Sequence, residues 1–550
     1  MKNMKKLLAV LVAVLMIAIS MSAMAATPEG LTADSSITIS GLDDGDTVNL
    51  YKVIEWDEGT AERRAGWVLT NDFKNDAACQ AVLHAINAVT DGVYSLTKED
   101  VKAFTDVINA GGCTKTTGGT VANGASTTDV APGMYVALVK PAKPDTMYNP
   151  IVVSADYKAD NNTSEINAKQ ATVGGNSGLA KKETTKVEKE QDDPTDTTDN
   201  SVDVGDTVSF TVKTTIPTFA DVYTTPSFVV TDTLSANLKL TTGTIKVFEE
   251  DGTTPIATLT SAVTEDSTTK WTLTVPTNYI TGLATPKPIV IKYDAVLTSS
   301  GDQTPGEETN DVTVEFSNNP DNSQDKGKLK DETRTYTFSI DGKLLGAGGE
   351  LTSELIKVAV DGNGDPIMQS KASGKTFKNA LAGAKFGLYK TEADAEADRN
   401  YYTNGEFNGT VITDDDGYMK ITGLDAGTYY LKEISAPDGF IKDQKTHKIV
   451  IDATYTTQTI SEAGYPDYTV DILKSYSITI DDVATSTYNM TLTSDIAISE
   501  ANVLPSSIPN TKGVELPSTG GMGTTLFYIG GAVLVLGAVV VMITRRRVRG

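Results

Sequence analysis

Runs in which every second residue is apolar or β-branched recur along this chain, as in Thr207-Val208-Ser209-Phe210-Thr211-Val212 and Thr337-Phe338-Ser339-Ile340. Asp-Gly pairs punctuate them at Asp251-Gly252, Asp361-Gly362 and Asp416-Gly417. A period of two puts successive side chains on opposite faces of a strand, so such segments bury their apolar face only by stacking one sheet on another. The chain is therefore predicted to be mainly β, a tandem array of antiparallel β-sandwiches. The exception lies near the N-terminus, where Asp72 to Val89 and Thr97 to Ala110 carry helical spacing, the second opening on a Thr97/Asp100 capping pattern. These two helices read as an insertion between strands.

Both ends look like processing segments. Lys2, Lys5 and Lys6 precede an apolar stretch from Leu7 to Ile19 and then Ala23-Met24-Ala25, which reads as a secretory signal peptide over 1–25. At the other end Leu516-Pro517-Ser518-Thr519-Gly520 precedes an apolar run from Leu526 to Ile543 and the arginines Arg545, Arg546, Arg547 and Arg549. That run is long enough to cross a bilayer, and the arginines hold its end on the cytoplasmic side. The order of pentapeptide, span and basic tail over 516–550 resembles the LPxTG cell-wall sorting signal of Gram-positive surface proteins. The resemblance implies cleavage by a sortase between Thr519 and Gly520, capture of Thr519 as a thioester and transfer of its carbonyl to an amine.

A net charge of −25 argues against nucleic acid as a partner. The two histidines, His84 and His447, carry no catalytic or metal-ligand spacing, so neither a metal site nor a cofactor is expected, and a surface enzyme lacks a recognisable set of residues. The two cysteines, Cys79 and Cys113, fall in the predicted helical insertion, and a secreted location permits a disulfide between them.

Weak repeats point to modules. Gly45-Asp46-Thr47-Val48 recurs as Gly205-Asp206-Thr207-Val208, and Gly-rich stretches near 172 and 345 suggest boundaries. The expected domains are 26–171, 172–345 and 346–515, with the acidic stretch from Glu190 to Asn200 read as a solvated loop inside the second.

The third of these holds Gly427-Thr428-Tyr429-Tyr430-Leu431-Lys432-Glu433-Ile434-Ser435-Ala436-Pro437-Asp438-Gly439-Phe440. This segment resembles the E-box of Gram-positive backbone pilins and of collagen-adhesin B-type domains. The resemblance implies immunoglobulin-like sandwiches and an intramolecular amide between a Lys of the first strand and an Asn of the last, promoted by the Glu. The matching positions are Lys357, Asn510 and Glu433. Burial would favour an uncharged, nucleophilic Lys357, and a neutral Glu433 could polarise the Asn510 carbonyl.

Phe228-Val229-Val230-Thr231-Asp232-Thr233-Leu234 and the Asn318-Asn319 pair resemble the middle domain of the same pilins. That implies a second amide with Asp232 as the acid, Lys182 or Lys181 as donor and Asn318 as acceptor. In the first domain Val139 stands where the E-box acid would be, so no such amide is expected there. The family's acceptor lysine for polymerisation corresponds in place to Lys169, with Lys158 as substitute, although the Tyr-Pro that precedes it in the family is missing.

The resemblance implies a structural protein rather than an enzyme, its only chemistry a single-turnover isopeptide formation. Sortase, further copies of the chain, accessory pilins and peptidoglycan are the implied partners. The rival reading is a wall-anchored adhesin or minor pilin that binds host matrix or carbohydrate.

Overall fold

The computed structural model describes residues 18–20, 31–32, 35–57, 66–88, 93–131, 133–155, 158–159, 177–192, 200–223, 225–301, 303–345, 350–369, 378–491, 497–503, 506–513 and 523–547. Strands dominate, and two compact units are formed. The first comprises residues 1–338 with Gly423–Asp425 and Ala453–Ser475; the second comprises Ser339–Thr422, Ala426–Asp452 and residues 476–550. The first unit thus holds the segments expected as the N-terminal and middle domains together with Gly423–Asp425 and Ala453–Ser475 from the span expected as the third.

In the N-terminal part, Thr47–Asp57 pairs with Gly133–Lys140, Gly66–Leu69 and Lys115–Thr117. A three-stranded sheet of Ser177–Leu179, Ser35–Ser40 and Ala125–Val130 supplies Ile37 and Ile39 to a core shared with Val139 and Tyr148. The two predicted helices are present as Ala77–Ala88 and Lys98–Ala110. The Thr97 hydroxyl accepts the Asp100 amide, and the Asp100 carboxylate accepts the Thr97 amide, closing the anticipated box. Phe73, in the turn before the first helix, meets Phe104 of the second edge to face, with ring centroids 6.2 Å apart.

The middle part is a sandwich. One sheet contains Val187–Asp192, Thr207–Ile216 and Lys287–Leu297; the other contains Lys270–Thr274, Phe228–Leu234, Gly306–Ser317 and Lys326–Ile340. Alternation is strict in Thr207–Ile216, where each even-numbered residue from Val208 to Ile216 is buried. The stretch expected as a loop from Glu190 therefore begins as strand, because Glu190, Gln191 and Asp192 continue the ladder against Thr211, Phe210 and Ser209.

In the second unit Leu355–Val360 lies parallel to Ser506–Thr511, so the first and last strands of the region are neighbours. Gly427–Ser435 pairs with Lys385–Tyr389, and its buried residues alternate as Tyr429, Leu431 and Glu433. The Asp416-Gly417 turn is tight for a stated reason: Gly417 has φ of +80°, and a Cβ there would come within 2.6 Å of the Lys357 carbonyl oxygen. At the C-terminus Gly523–Arg547 is helical, and its stretch Phe527–Arg546, with mean hydropathy 2.4, is long and apolar enough to cross a membrane.

Candidate functional site: two buried lysine, acid and asparagine clusters

Strand alternation decides which side chains of the second unit can meet. Lys357 pairs with Ile508 and Ala359 with Asn510, so Lys357 and Asn510 are diagonal neighbours on one face of the parallel pair. Glu433 reaches them from Gly427–Ser435. Its Oε2 is 3.4 Å from Lys357 Nζ, its Oε1 accepts Asn510 Nδ2 at 2.8 Å, and the Asp443 amide donates to Oε2 at 2.6 Å. The side chains of Lys357 and Glu433 are fully excluded from solvent. Burial pushes the Lys357 amine below the ordinary lysine range, against the pull of Glu433. The Phe386 ring centroid lies 5.1 Å from Nζ, so the amine is flanked by an apolar wall.

The Asn510 Oδ1 is buried without a hydrogen-bond partner. Turning the amide by 180° exchanges Nδ2 and Oδ1 within the same envelope, placing the oxygen against Glu433 Oε1. In that orientation the amide oxygen faces the carboxyl group that could stabilise charge developing on it. The three residues anticipated from the sequence are thus brought together.

The middle region differs from expectation. Asp232 is buried in the sandwich as anticipated, but the lysine that meets it is Lys189. Both side chains are fully buried and in direct contact. Burial drives Asp232 above the usual carboxylate range and Lys189 below the usual lysine range, so both move toward their neutral forms. The asparagine is Asn310, whose Nδ2 donates to the Tyr293 hydroxyl at 2.7 Å. That hydroxyl donates to Asp232 Oδ1 at 2.8 Å and accepts from Lys189 Nζ at 2.7 Å. The Asn310 Oδ1, like that of Asn510, is buried and unpartnered.

Lys181, Lys182 and Asn318 are not part of this cluster. Lys182 pairs with Tyr148, and its partly exposed Nζ bonds Asp43 at 2.8 Å. The Lys181 carbonyl accepts the Asn149 amide. Asn318 follows the end of its strand, and its carbonyl accepts the Tyr223 hydroxyl at 3.1 Å. Register explains the failure. Asp232 is opposite Val312, which makes Asn310 its diagonal neighbour, whereas Asn318 is six residues beyond Val312, roughly 20 Å along the strand direction. A signal for Asn310 existed: it shares parity with Val312, Val314 and Phe316 and so sits on the apolar face.

The expected Cys79–Cys113 disulfide is absent. Both cysteines are free thiols, with Cys79 Sγ directed at the Ala103 carbonyl and Cys113 Sγ at the Val107 carbonyl. The helices are held by packing instead. Val139, which stands where the E-box acid would be, is fully buried. Among the described residues no cluster fit to hold a metal ion occurs. Leu516, Pro517, Ser518, Thr519, Gly520 and Lys169 lie outside the described residues, and Lys158 falls in a two-residue strand against Thr32.

Residues 367–463 match the SpaA prealbumin-like fold domain, and residues 508–548 match the LPXTG cell wall anchor motif. A trypsin-resistant surface T6 protein of Streptococcus pyogenes serotype M6 is 25% identical over 592 residues, covering 98% of this chain and all of that protein. The solved T6 backbone pilin of serotype M6 S. pyogenes, described as a modular three-domain structure, superposes with a TM-score of 0.53 at 18% identity, covering 89% of this chain and all of that one. A SpaA-type domain, an LPXTG anchor with its apolar helix and the fold of the T6 backbone pilin meet in one chain: it is a cell-wall-anchored surface protein, similar to Gram-positive major pilins.

Proposed function

We propose that the chain is the backbone subunit of a covalent pilus, joined head to tail by sortase through Thr519 and braced internally by two Lys-Asn amides. The observation that carries this reading is the fully buried Lys357, Glu433 and Asn510 cluster on the first, middle and last strands of a domain that runs into a sorting signal. Transfer of a proton from Lys357 to Glu433 leaves both neutral. The amine attacks the Asn510 Cγ, Glu433 supports the developing oxyanion, and as the Cγ–Nδ2 bond breaks Nδ2 takes a proton shed by the lysine nitrogen and leaves as ammonia. Folding holds the reactants together, which is worth an effective molarity of about 10⁵ M or more. Lys189, Asp232 and Asn310 take the same roles in the middle region.

Each amide spans well over a hundred residues, and closing a loop of that size removes unfolded-state freedom worth about 5 kcal/mol in the chain-entropy account. Sortase would release the chain from its membrane span by cutting after Thr519, with Lys169 as the amine of the next subunit. Peptidoglycan receives the last one, and accessory pilins are the remaining partners.

Wall extracts boiled in detergent should give a high-molecular-mass ladder that collapses to monomer on Lys169→Ala. A single wall-linked band from the wild type would overturn polymerisation and leave an anchored adhesin.

A further inference from the structure

The two clusters reach their asparagines differently. Glu433 touches Asn510 directly, whereas between Asp232 and Asn310 stands the Tyr293 hydroxyl, bonded at 2.7 to 2.8 Å to Lys189 Nζ, Asp232 Oδ1 and Asn310 Nδ2. The ring is fixed: it stacks on Phe210 with centroids 5.3 Å apart and meets Trp271 edge-on at the same separation. Aspartate is one methylene shorter than glutamate, and a phenol oxygen at this point fills the resulting gap.

We propose that Tyr293 is a catalytic residue of the middle-region cross-link, relaying the proton of Asp232 to the Asn310 carbonyl and so restoring the reach that the shorter acid lacks. The inference rests on the reading of Lys189 and Asn310 as amide partners. With the Asn310 amide turned so that Oδ1 faces the phenol, Asp232 carrying the Lys189 proton donates to the Tyr293 oxygen, and Tyr293 donates to Oδ1. This satisfies the otherwise unpartnered Asn310 oxygen. The Lys189 nitrogen then bonds to Cγ while the C–O π pair moves to Oδ1, held by the phenol. On collapse the Cγ–Nδ2 bond breaks, and a proton shed by the lysine nitrogen returns through the same hydroxyl to Nδ2. Ammonia leaves, and the remaining proton stays on Asp232 or departs with it as ammonium. Burial holds the phenol far above its ordinary range, so it stays protonated and can pass a proton without being lost as phenolate.

The test follows linkage in the whole chain after a pulse of synthesis, by intact mass and by the cross-linked peptide carrying Lys189 and Asn310. Tyr293→Phe keeps the ring and removes only the relay; it should slow formation of this link roughly 10²-fold, while the Lys357 to Asn510 link forms as in wild type. Asp232→Glu added to Tyr293→Phe should restore it, since the longer acid can reach Asn310 unaided. A Tyr293→Phe chain that links at the wild-type rate, or a loss that the longer acid does not rescue, overturns the relay. A wild-type chain with no Lys189 to Asn310 peptide would instead overturn the cross-link reading itself. Far-UV circular dichroism and the Lys357 to Asn510 link report in the same samples whether each variant has folded.

Discussion

The C-terminal cluster uses a long acid that contacts lysine and asparagine together; the middle cluster uses a short one with a tyrosine between. Geometry accounts for the difference. In the second unit lysine and asparagine share one face of a parallel strand pair, and the acid approaches from another strand. In the middle sandwich acid and asparagine are diagonal neighbours in one sheet, and lysine comes from the other. What the two retain is exclusion of solvent around an amine and an acid, which suggests that desolvation is the common requirement and that strand order is not.

The largest expected effect tests whether both clusters brace the chain. Lys357→Ala and Lys189→Ala should each lower stability to denaturant by about 5 kcal/mol and raise the ectodomain mass, relative to the sequence, by the ammonia retained. A variant with the wild-type unfolding midpoint would remove its cluster from the comparison. Next in size, Glu433→Asp withdraws the carboxylate by about one methylene with no hydroxyl to bridge the gap, so the Lys357 to Asn510 link should form roughly 10²-fold more slowly by mass spectrometry. Undiminished linkage would show that acid length is immaterial and collapse the contrast.

The N-terminal region is the control, having neither cluster nor disulfide among its described residues. A thiol reagent should label half-buried Cys113 in the native protein and reach Cys79 only as the helices open. Burial, assisted by Asp76, lifts the Cys79 thiol to about 12, which slows its reaction further. Complete protection of both until a reductant is added would restore the disulfide.

The smallest effect concerns Asp331, whose carboxylate accepts the Lys189 amide at 2.6 Å and is raised by burial from 3.8 to about 6. A raised carboxylate means that the folded chain binds more protons than the unfolded one between those values. Its contribution therefore favours folding below pH 3.8 and fades as the pH rises through about 6. Asp331→Asn should flatten that part of the pH profile of the denaturant midpoint. An unchanged slope would assign it to other groups.

Much of this was legible in sequence because it is local. The Thr97/Asp100 box, the Asp416-Gly417 turn and the Tyr429, Leu431, Glu433 alternation each depend on residues a few positions apart. Lys357 and Asn510 are distant, yet fixed positions relative to a specific motif found them. Lys189 and Asn310 were missed because their meeting depends on register across two sheets. Charge also misled: the acidic stretch from Glu190 reads as a solvated loop, although the strand Val187–Asp192 runs into it and turns Lys189 inward. The disulfide was expected from compartment and count, neither of which contains the direction of a thiol.

The parallel pairing of Leu355–Val360 with Ser506–Thr511 has a mechanical consequence. Tension applied between the start of the first strand and the end of the last slides the two along each other, loading all six register pairs in shear instead of opening them one at a time like a zipper. An amide between Lys357 and Asn510 would carry that tension straight across the pair. The domain between them would then hang beside the line of force, stretched by nothing, and stay folded while the fibre is pulled.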